Sequence, residues 1–225
     1  MKKILFLIFF SVSALFAQND SFPKTIFVYE KSANEVHTIT TWVLEETKDS
    51  LEIKGESPRG TTLIVTDKKF NTKSFHYVTS DKTTVYTITR EGGNLIATST
   101  VNGEKTTEIY NIGQDIWIQE FAFCFHDFIR SNDKSLKFQI INARDISLHQ
   151  MVATKKDIET LTIGDNSYTA LKVRVTLTGF KQMFWKAETW YDQKTGDLLK
   201  YMATEGPGTT LDTITMISKK TEKKL

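Results

Sequence analysis

Short runs of alternating apolar and polar residues recur every eight to twelve residues through the first half of the chain. Threonine, valine, isoleucine and tyrosine dominate these runs, and their branched or flat side chains suit a pleated strand. Turn residues separate the runs, and Asn102-Gly103 supplies the positive φ angles that a two-residue hairpin needs. The pattern predicts eight antiparallel strands joined by short turns. The runs between residues 25 and 111 are TIFVYE, VHTITTWVLEE, SLEIKGE, TTLIVTD, SFHYVTS, TTVYTIT, NLIATST and KTTEIYN.

The last third of the chain continues the strand pattern. The run YTALKVRVTL (168–177) alternates strictly and predicts a strand with one buried face and one wet face. The run MFWKAETWY (183–191) carries aromatic rings on both faces, and the loop DQKTGD (192–197) joins it to LLKYMAT (198–204). The total is fourteen or fifteen strands. The remaining ones are predicted at 136–142, 147–155, 157–163 and in TLDTITMIS (210–218).

One segment in the middle of the chain, DIWIQEFAFCFHDFIRSNDKS (115–135), breaks the alternation. On a helix its large apolar residues fall on one stripe, which favours a helix from about 116 to 130. Asp115 is placed to cap the start of this helix, and Asn132-Asp133 can end it. A strand remains the alternative. The stripe consists of Trp117, Phe121, Cys124, Phe125 and Phe128.

So many strands in one antiparallel sheet cannot stay flat, because strand twist accumulates until a large sheet curls or closes. We therefore predict a mainly β fold: a large curled antiparallel sheet, as an open or closed barrel, with one central covering helix near 116–130. The helix would lie in the concave face. A ligand can occupy whatever space the helix leaves open, since larger barrels enclose a cavity.

The first residues, MKKILFLIFFSVSALFA, combine a basic start, an apolar run and a small final residue, which is typical of an export signal. We expect residues 1–17 to be a signal peptide and residues 18–225 to form a single antiparallel β-barrel-like domain. The mature protein would then be periplasmic or secreted, with no transmembrane segment after cleavage.

Removing Lys2 and Lys3 lowers Lys plus Arg from 29 to 27, which equals the 27 Asp plus Glu. A formally neutral chain argues against nucleic acid as a partner, because a nucleic-acid binder needs a basic face.

Residues that carry chemistry are sparse. The four histidines, His37, His76, His126 and His149, are not paired at metal-ligand spacing, so we expect no metal and no cofactor. No nucleophile elbow or phosphate loop is present, and Cys124 lies among aromatic rings, which predicts a buried, inert thiol. We therefore expect a protein that is not an enzyme. A hydrolase of envelope glycans or lipids is a weaker alternative.

The export signal, the β meander, the helical break in mid-chain and the hairpin WYDQKTGDLLKY (190–201) together resemble a known family. They look like the exported half-barrel proteins related to the lipoprotein carriers LolA and LolB. The layout is similar over most of residues 24–218, and the hairpin is the one local motif. The resemblance implies a curled antiparallel sheet whose concave apolar side is covered by helices and binds acyl chains or another hydrophobic cargo.

Two functional hypotheses follow. In the first, the protein binds a hydrophobic ligand such as a lipid or an acyl chain. In the second, it is an envelope protein-interaction or scaffold module; its rings are core, and Phe184 and Trp190 are exposed anchors for an envelope protein partner. The ligand-binding wall of the first hypothesis would be drawn from Trp117, Phe121, Phe125, Phe128, Met183, Trp185 and Tyr191.

Overall fold

The computed structural model describes residues 23–179, 185–204 and 211–222. Within these ranges the alternating runs form fourteen strands, and the predicted eight-strand meander is confirmed. The first eight strands are β1 (Lys24–Ala33), β2 (Val36–Glu46), β3 (Leu51–Ser57), β4 (Gly60–Thr66), β5 (Thr72–Thr79), β6 (Thr84–Glu91), β7 (Asn94–Val101) and β8 (Glu104–Asn111). The others are β9 (Ser135–Ile141), β10 (Leu148–Ile163), β11 (Asn166–Leu177), β12 (Lys186–Asp192), β13 (Leu198–Thr204) and β14 (Leu211–Glu222).

All fourteen strands belong to one antiparallel sheet in the order β8-β7-β6-β5-β4-β3-β2-β1-β14-β13-β12-β11-β10-β9. Except for β8 and β9, strands that are consecutive in sequence pair with each other, and the pairing of β1 with β14 joins the two halves of the chain. The edges are β8 and β9, which the mid-chain segment separates. No ladder joins these two edges within the described ranges, so the predicted large antiparallel sheet is confirmed in its open form.

The mid-chain helix is confirmed but is shorter than predicted. It consists of α1 (Phe121–Cys124) and α2 (His126–Arg130), with Phe125 between them at φ −96° and ψ 1°. The side chain of Glu120 caps α1 by accepting a hydrogen bond from the backbone N–H of Ala122. The prediction that Asp115 caps the helix is wrong.

Residues 116–118 are extended because they cover the edge strand β9. Trp117 forms a parallel bridge with Gln139, whose backbone N–H donates to Ile116 and whose carbonyl accepts from Ile118. The Asp115 carboxylate accepts a hydrogen bond of 2.8 Å from Nε2 of Gln139. An exposed strand edge carries unpaired backbone groups, and pairing them outweighs one more helical turn.

The strands predicted at 147–155 and 157–163 form one continuous strand, β10, in the structure. The register against β11 shifts between Lys155 and Ile158, so a bulge replaces the predicted break. A bulge bends a strand and increases its twist, which suits a curling sheet.

Contacts of the helix show how strongly the sheet curls. Phe123 packs edge-on at 5.4 Å against both Phe27 of β1 and Trp42 of β2. Phe125 packs edge-on against Phe138 of β9 at 5.4 Å. In a flat sheet β2 and β9 would lie about 34 Å apart, at roughly 4.8 Å for each strand-to-strand step. One helix touches both strands, so the sheet wraps around it and the helix forms the centre of the core.

The expected signal peptide, residues 1–17, lies outside the described residues, and the proposed division at residue 18 stays a prediction. Among the helices that are described, none has the length and apolar character needed to cross a bilayer.

Candidate functional site

A cavity of about 620 Å³ opens at one end of the curled sheet, beside the first turn of α1. Most of its wall comes from the second half of the sheet, β9 to β14, and from Phe121 at the start of the helix. Its apolar lining consists of Phe121, Ile140, Met151, Leu177, Trp185, Leu198, Tyr201 and Ile214.

Strand register brings these residues together. Met151 of β10 lies opposite Leu177 of β11, and Tyr201 of β13 lies opposite Ile214 of β14. Cross-strand partners share one face of the sheet, and here that face is the concave one. The wall is therefore built from side chains that are distant in sequence and adjacent in space.

The predicted site residues divide into two groups. Phe121 and Trp185 line the cavity and are partly exposed to it. Four others are buried core residues that do not line it, and Met183 lies outside the described residues. The four core residues are Trp117, Phe125, Phe128 and Tyr191.

The buried rings form the floor beneath the cavity. Phe121 stacks on Phe125 at 5.3 Å, and Phe125 packs edge-on against Tyr191 at 6.0 Å. The hydroxyl of Tyr191 donates to the carbonyl of Phe121, and that of Tyr29 donates to the carbonyl of Leu198, both at 3.0 Å. These two hydrogen bonds tie the wall residues to the rigid core.

Sequence reasoning missed six of the eight apolar lining residues: Ile140, Met151, Leu177, Leu198, Tyr201 and Ile214. The alternation of 168–177 had already identified Leu177 as a member of a buried face. For the others the strands were predicted, but the pattern within one strand does not tell which of two apolar faces is concave. That information comes from the curl of the sheet.

One carboxyl group, that of Glu120, lies among the apolar lining residues. Its pKa is raised above the ordinary value by burial, against the opposing effect of the backbone N–H groups of Ala122 and Phe121. Burial raises a carboxyl pKa because the charged form loses its hydration. The same loss of hydration would disfavour a negatively charged ligand group at this position.

The other charged side chains of the cavity lie toward its opening. Lys31 and Asp212 form an ion pair of 2.5 Å and are about a third and a quarter exposed, at 31% and 26%. Asn142 and Arg144, in the turn between β9 and β10, are exposed. The end of β1, the start of β14 and this turn lie at the same end of the sheet, which defines the mouth of the cavity.

A cluster of charges and rings surrounds His126, the first residue of α2. The ring of His126 stacks on Phe70 at 4.4 Å, and its Nε2 lies 3.9 Å from the Asp197 carboxylate. Lys219 pairs with the same carboxylate at 2.6 Å. Burial lowers the pKa of His126 to about 4; Asp197 opposes this, and the cations Arg130 and Lys219 add to it. The cluster joins the helix, the β12–β13 turn and β14, and none of its residues lines the cavity.

The thiol of Cys124 is buried, as predicted, and its Sγ lies 3.4 Å from Oγ1 of Thr72. Burial raises its pKa to about 12, so the nucleophilic thiolate is not formed near neutral pH. Within the described ranges, no three metal-ligating side chains come together.

The expectation that Trp190 is an exposed anchor is wrong. Its side chain is buried at 7% exposure, its Nε1 donates to the Glu159 carboxylate, and the ammonium groups of Lys172 and Lys200 lie over its ring at 5.0 and 5.6 Å. Polar side chains from three strands therefore cover this ring. Phe184, the other predicted anchor, lies outside the described residues.

Three solved structures are similar to this chain. A β-barrel-like protein of the domain of unknown function DUF1849 from Brucella abortus superposes with a TM-score of 0.61 at 7% identity, over 91% of this chain and 99% of that chain. A domain of an outer membrane lipoprotein-sorting protein from Vibrio parahaemolyticus matches with a TM-score of 0.27 at 11% identity, over 90% and 86%. A LolA superfamily protein from Nitrosomonas europaea matches with a TM-score of 0.25 at 10% identity, over 92% and 88%.

At these identities the likeness concerns the fold alone, and the superposition on the β-barrel-like protein carries it. Proteins of the LolA type, which the sequence pattern resembles, are among the matching structures. No protein-family model and no curated protein matches the sequence.

Proposed function

We propose that the protein binds a hydrophobic ligand, such as a lipid or an acyl chain, in the cavity beside α1. The observation that carries the proposal is the cavity itself, with a volume of about 620 Å³ and a mainly apolar lining. Small-molecule sites typically enclose about 300–1,000 Å³ and combine an apolar wall with a few polar groups. Phe121 and Trp185 are the predicted wall residues that would contact the ligand.

The energy of such a complex is sufficient for reversible binding. Burying roughly a dozen acyl methylenes gives about 10 kcal/mol, at about 0.8 kcal/mol each. Association costs about 4 kcal/mol or more. The difference corresponds to a dissociation constant in roughly the tens of micromolar. A ligand held with this affinity can be released again, which suits transient binding better than permanent storage.

The proposal assigns no reaction to any residue, and it places the protein outside the cytoplasm. The location rests on the export pattern of residues 1–17. The absence of a reaction from the proposal rests on the inert environment of Cys124 and on the fact that neither Cys124 nor His126 lines the cavity.

The test uses a neutral probe, N-phenyl-1-naphthylamine, whose fluorescence rises in an apolar site. Ile214→Trp places a large ring inside the cavity and is expected to weaken probe binding about tenfold. Ile217→Trp is the matched control, because Ile217 lies on the same strand but is 53% exposed and does not line the cavity. We expect the control to bind like the unmodified protein.

Native mass spectrometry of the protein after bacterial export provides the second measurement, and co-purifying lipid is the expected result. The proposal fails if the exported protein is free of lipid and the probe gains no fluorescence. It also fails if Ile214→Trp and Ile217→Trp bind the probe equally well.

A further inference from the structure

The charges of the cavity are arranged unevenly between its inner end and its mouth. Five titratable or charged side chains line it besides the tyrosine: Lys31, Glu120, Arg144, His149 and Asp212. Lys31 and Asp212 neutralise each other in an ion pair of 2.5 Å. Glu120 lies inside, at the start of α1. The remaining side chains, Arg144 and His149, belong to the mouth.

The backbone of Arg144 is fixed by hydrogen bonds of the turn, and its side chain takes no part in them. Its backbone N–H donates to Oδ1 of Asn142 at 3.0 Å, and the turn is closed by a hydrogen bond of 2.9 Å from the N–H of Asn142 to the carbonyl of Ser147. Among the described residues, the guanidinium group of Arg144 has neither a hydrogen-bond partner nor an ion-pair partner. An anchored backbone therefore presents a free cation at the rim of an apolar cavity.

The acidic residue of the same turn, Asp145, accepts hydrogen bonds from Ser147. Its Oδ1 accepts hydrogen bonds from the backbone N–H of Ser147 at 3.1 Å and from the Ser147 hydroxyl at 2.6 Å. Since the hydroxyl donates its hydrogen bond to Asp145, it accepts a hydrogen bond from Nε2 of His149, 3.0 Å away. This chain orients the imidazole at the mouth and directs the Asp145 carboxylate to Ser147.

We infer that the ligand is an anionic amphiphile, with its negative head group at Arg144 and its alkyl chain directed inward along Phe121 and Leu198. This inference rests on the proposed function and adds the class and orientation of the ligand. A guanidinium group is suited to carboxylate and phosphate, because its planar array of donors matches their oxygens. A charged head group at the inner end, beside Glu120, would lose its hydration, so the head group faces outward.

The experiment compares four probes of equal chain length: dodecanoate, dodecyl phosphate, the neutral dodecanol and the cation dodecyltrimethylammonium. Each displaces N-phenyl-1-naphthylamine from the unmodified protein, from Arg144→Gln and from Arg144→Glu. Arg59→Gln is the matched control, because Arg59 is also an exposed turn arginine but does not line the cavity. Comparing dodecanoate with dodecyl phosphate distinguishes a carboxylate head from a phosphate head.

We expect Arg144→Gln to weaken the binding of dodecanoate or of dodecyl phosphate about two- to fivefold, the upper part of the range for an exposed ion pair. The binding of dodecanol should change less than twofold. Arg144→Glu should favour the cationic probe over the anionic ones, and Arg59→Gln should change nothing. The effect should shrink as salt is added, since exposed charges are screened.

Equal loss of anionic and neutral probes in Arg144→Gln, or no loss of either, overturns the inference but leaves the proposed function standing. If none of the four probes binds the unmodified protein, the proposed function fails and the inference fails with it.

Discussion

Replacing His126 with phenylalanine tests the charge cluster at the start of α2. The imidazole stacks on Phe70 and its side chain is 11% exposed. Its Nε2 lies 3.9 Å from the Asp197 carboxylate, which is too long for a hydrogen bond. A phenyl ring can keep the stacking with Phe70 and removes only the titrating group. The charged groups that face the ring are Asp197, Lys219 and Arg130.

The magnitude follows from the pKa of His126, which burial lowers from 6.5 to about 4. A histidine whose pKa is lower in the folded state contributes stability that is complete above its unfolded pKa. That stability is lost as the pH falls toward the folded pKa, because the unfolded chain binds the proton first. At roughly 1.4 kcal/mol per pKa unit, His126 lowers the free energy of unfolding by about 3 kcal/mol between about pH 8 and pH 4.

The assay is urea denaturation of the unmodified protein and of His126→Phe at several pH values across this window. Other carboxylates with lowered pKa values, such as Asp67 and Asp145, titrate in both proteins and cancel in the difference. We expect the unmodified protein to lose about 3 kcal/mol more than the variant on acidification. The m-value should stay constant, so that the midpoint reports stability.

A constant difference between the two proteins over the whole pH range would refute this reasoning. A direct control is the NMR titration of the His126 ring, identified by the signal that the variant lacks. Protonation near pH 6.5 in the folded protein would show that the ring is hydrated and that burial does not control it.

Three further predictions concern the packing and the edges of the sheet. Gly55→Ala should lower the free energy of unfolding, measured by urea denaturation, by about 1–3 kcal/mol, because a new Cβ would lie 2.6 Å from the ring of Trp42. The loss should be smaller in a Trp42→Leu background. Tyr110→Phe should lower the free energy of unfolding by about 1 kcal/mol. The Tyr110 hydroxyl of edge strand β8 donates to the carbonyl of Ile146 beyond β9, across the gap in the sheet. An unchanged urea midpoint would show that this hydrogen bond contributes nothing. The stability of Glu120→Gln relative to the unmodified protein should increase as the pH rises. Burial raises the pKa of Glu120, so the unmodified protein loses stability when this carboxyl group ionises. A stability difference that decreases with rising pH would contradict the burial of this group.

The candidate site was only partly readable from the sequence. Phe121 and Trp185 stand out as rings in a helix and next to a strand, and both line the cavity. Trp117, Phe125 and Tyr191 stand out equally, yet they are core. Ring content marks residues that must leave water, but it does not distinguish a packed interior from a cavity wall. Arg144 gave no signal at all, because its significance lies in which cavity its turn borders.

The sequence by itself determined most of the strands and turns and the helical break in mid-chain, since each follows from residues within one short stretch. The period-two alternation of β1 to β8 and the apolar stripe of 121–130 are patterns of this kind. Only the tertiary structure decided that the sheet stays open between β8 and β9, that Asp115 bonds Gln139 and does not cap the helix, and that the cavity lies among β9 to β14. These features depend on which distant segments pair and how far the sheet curls, and no local pattern encodes a curvature that fourteen strands produce together.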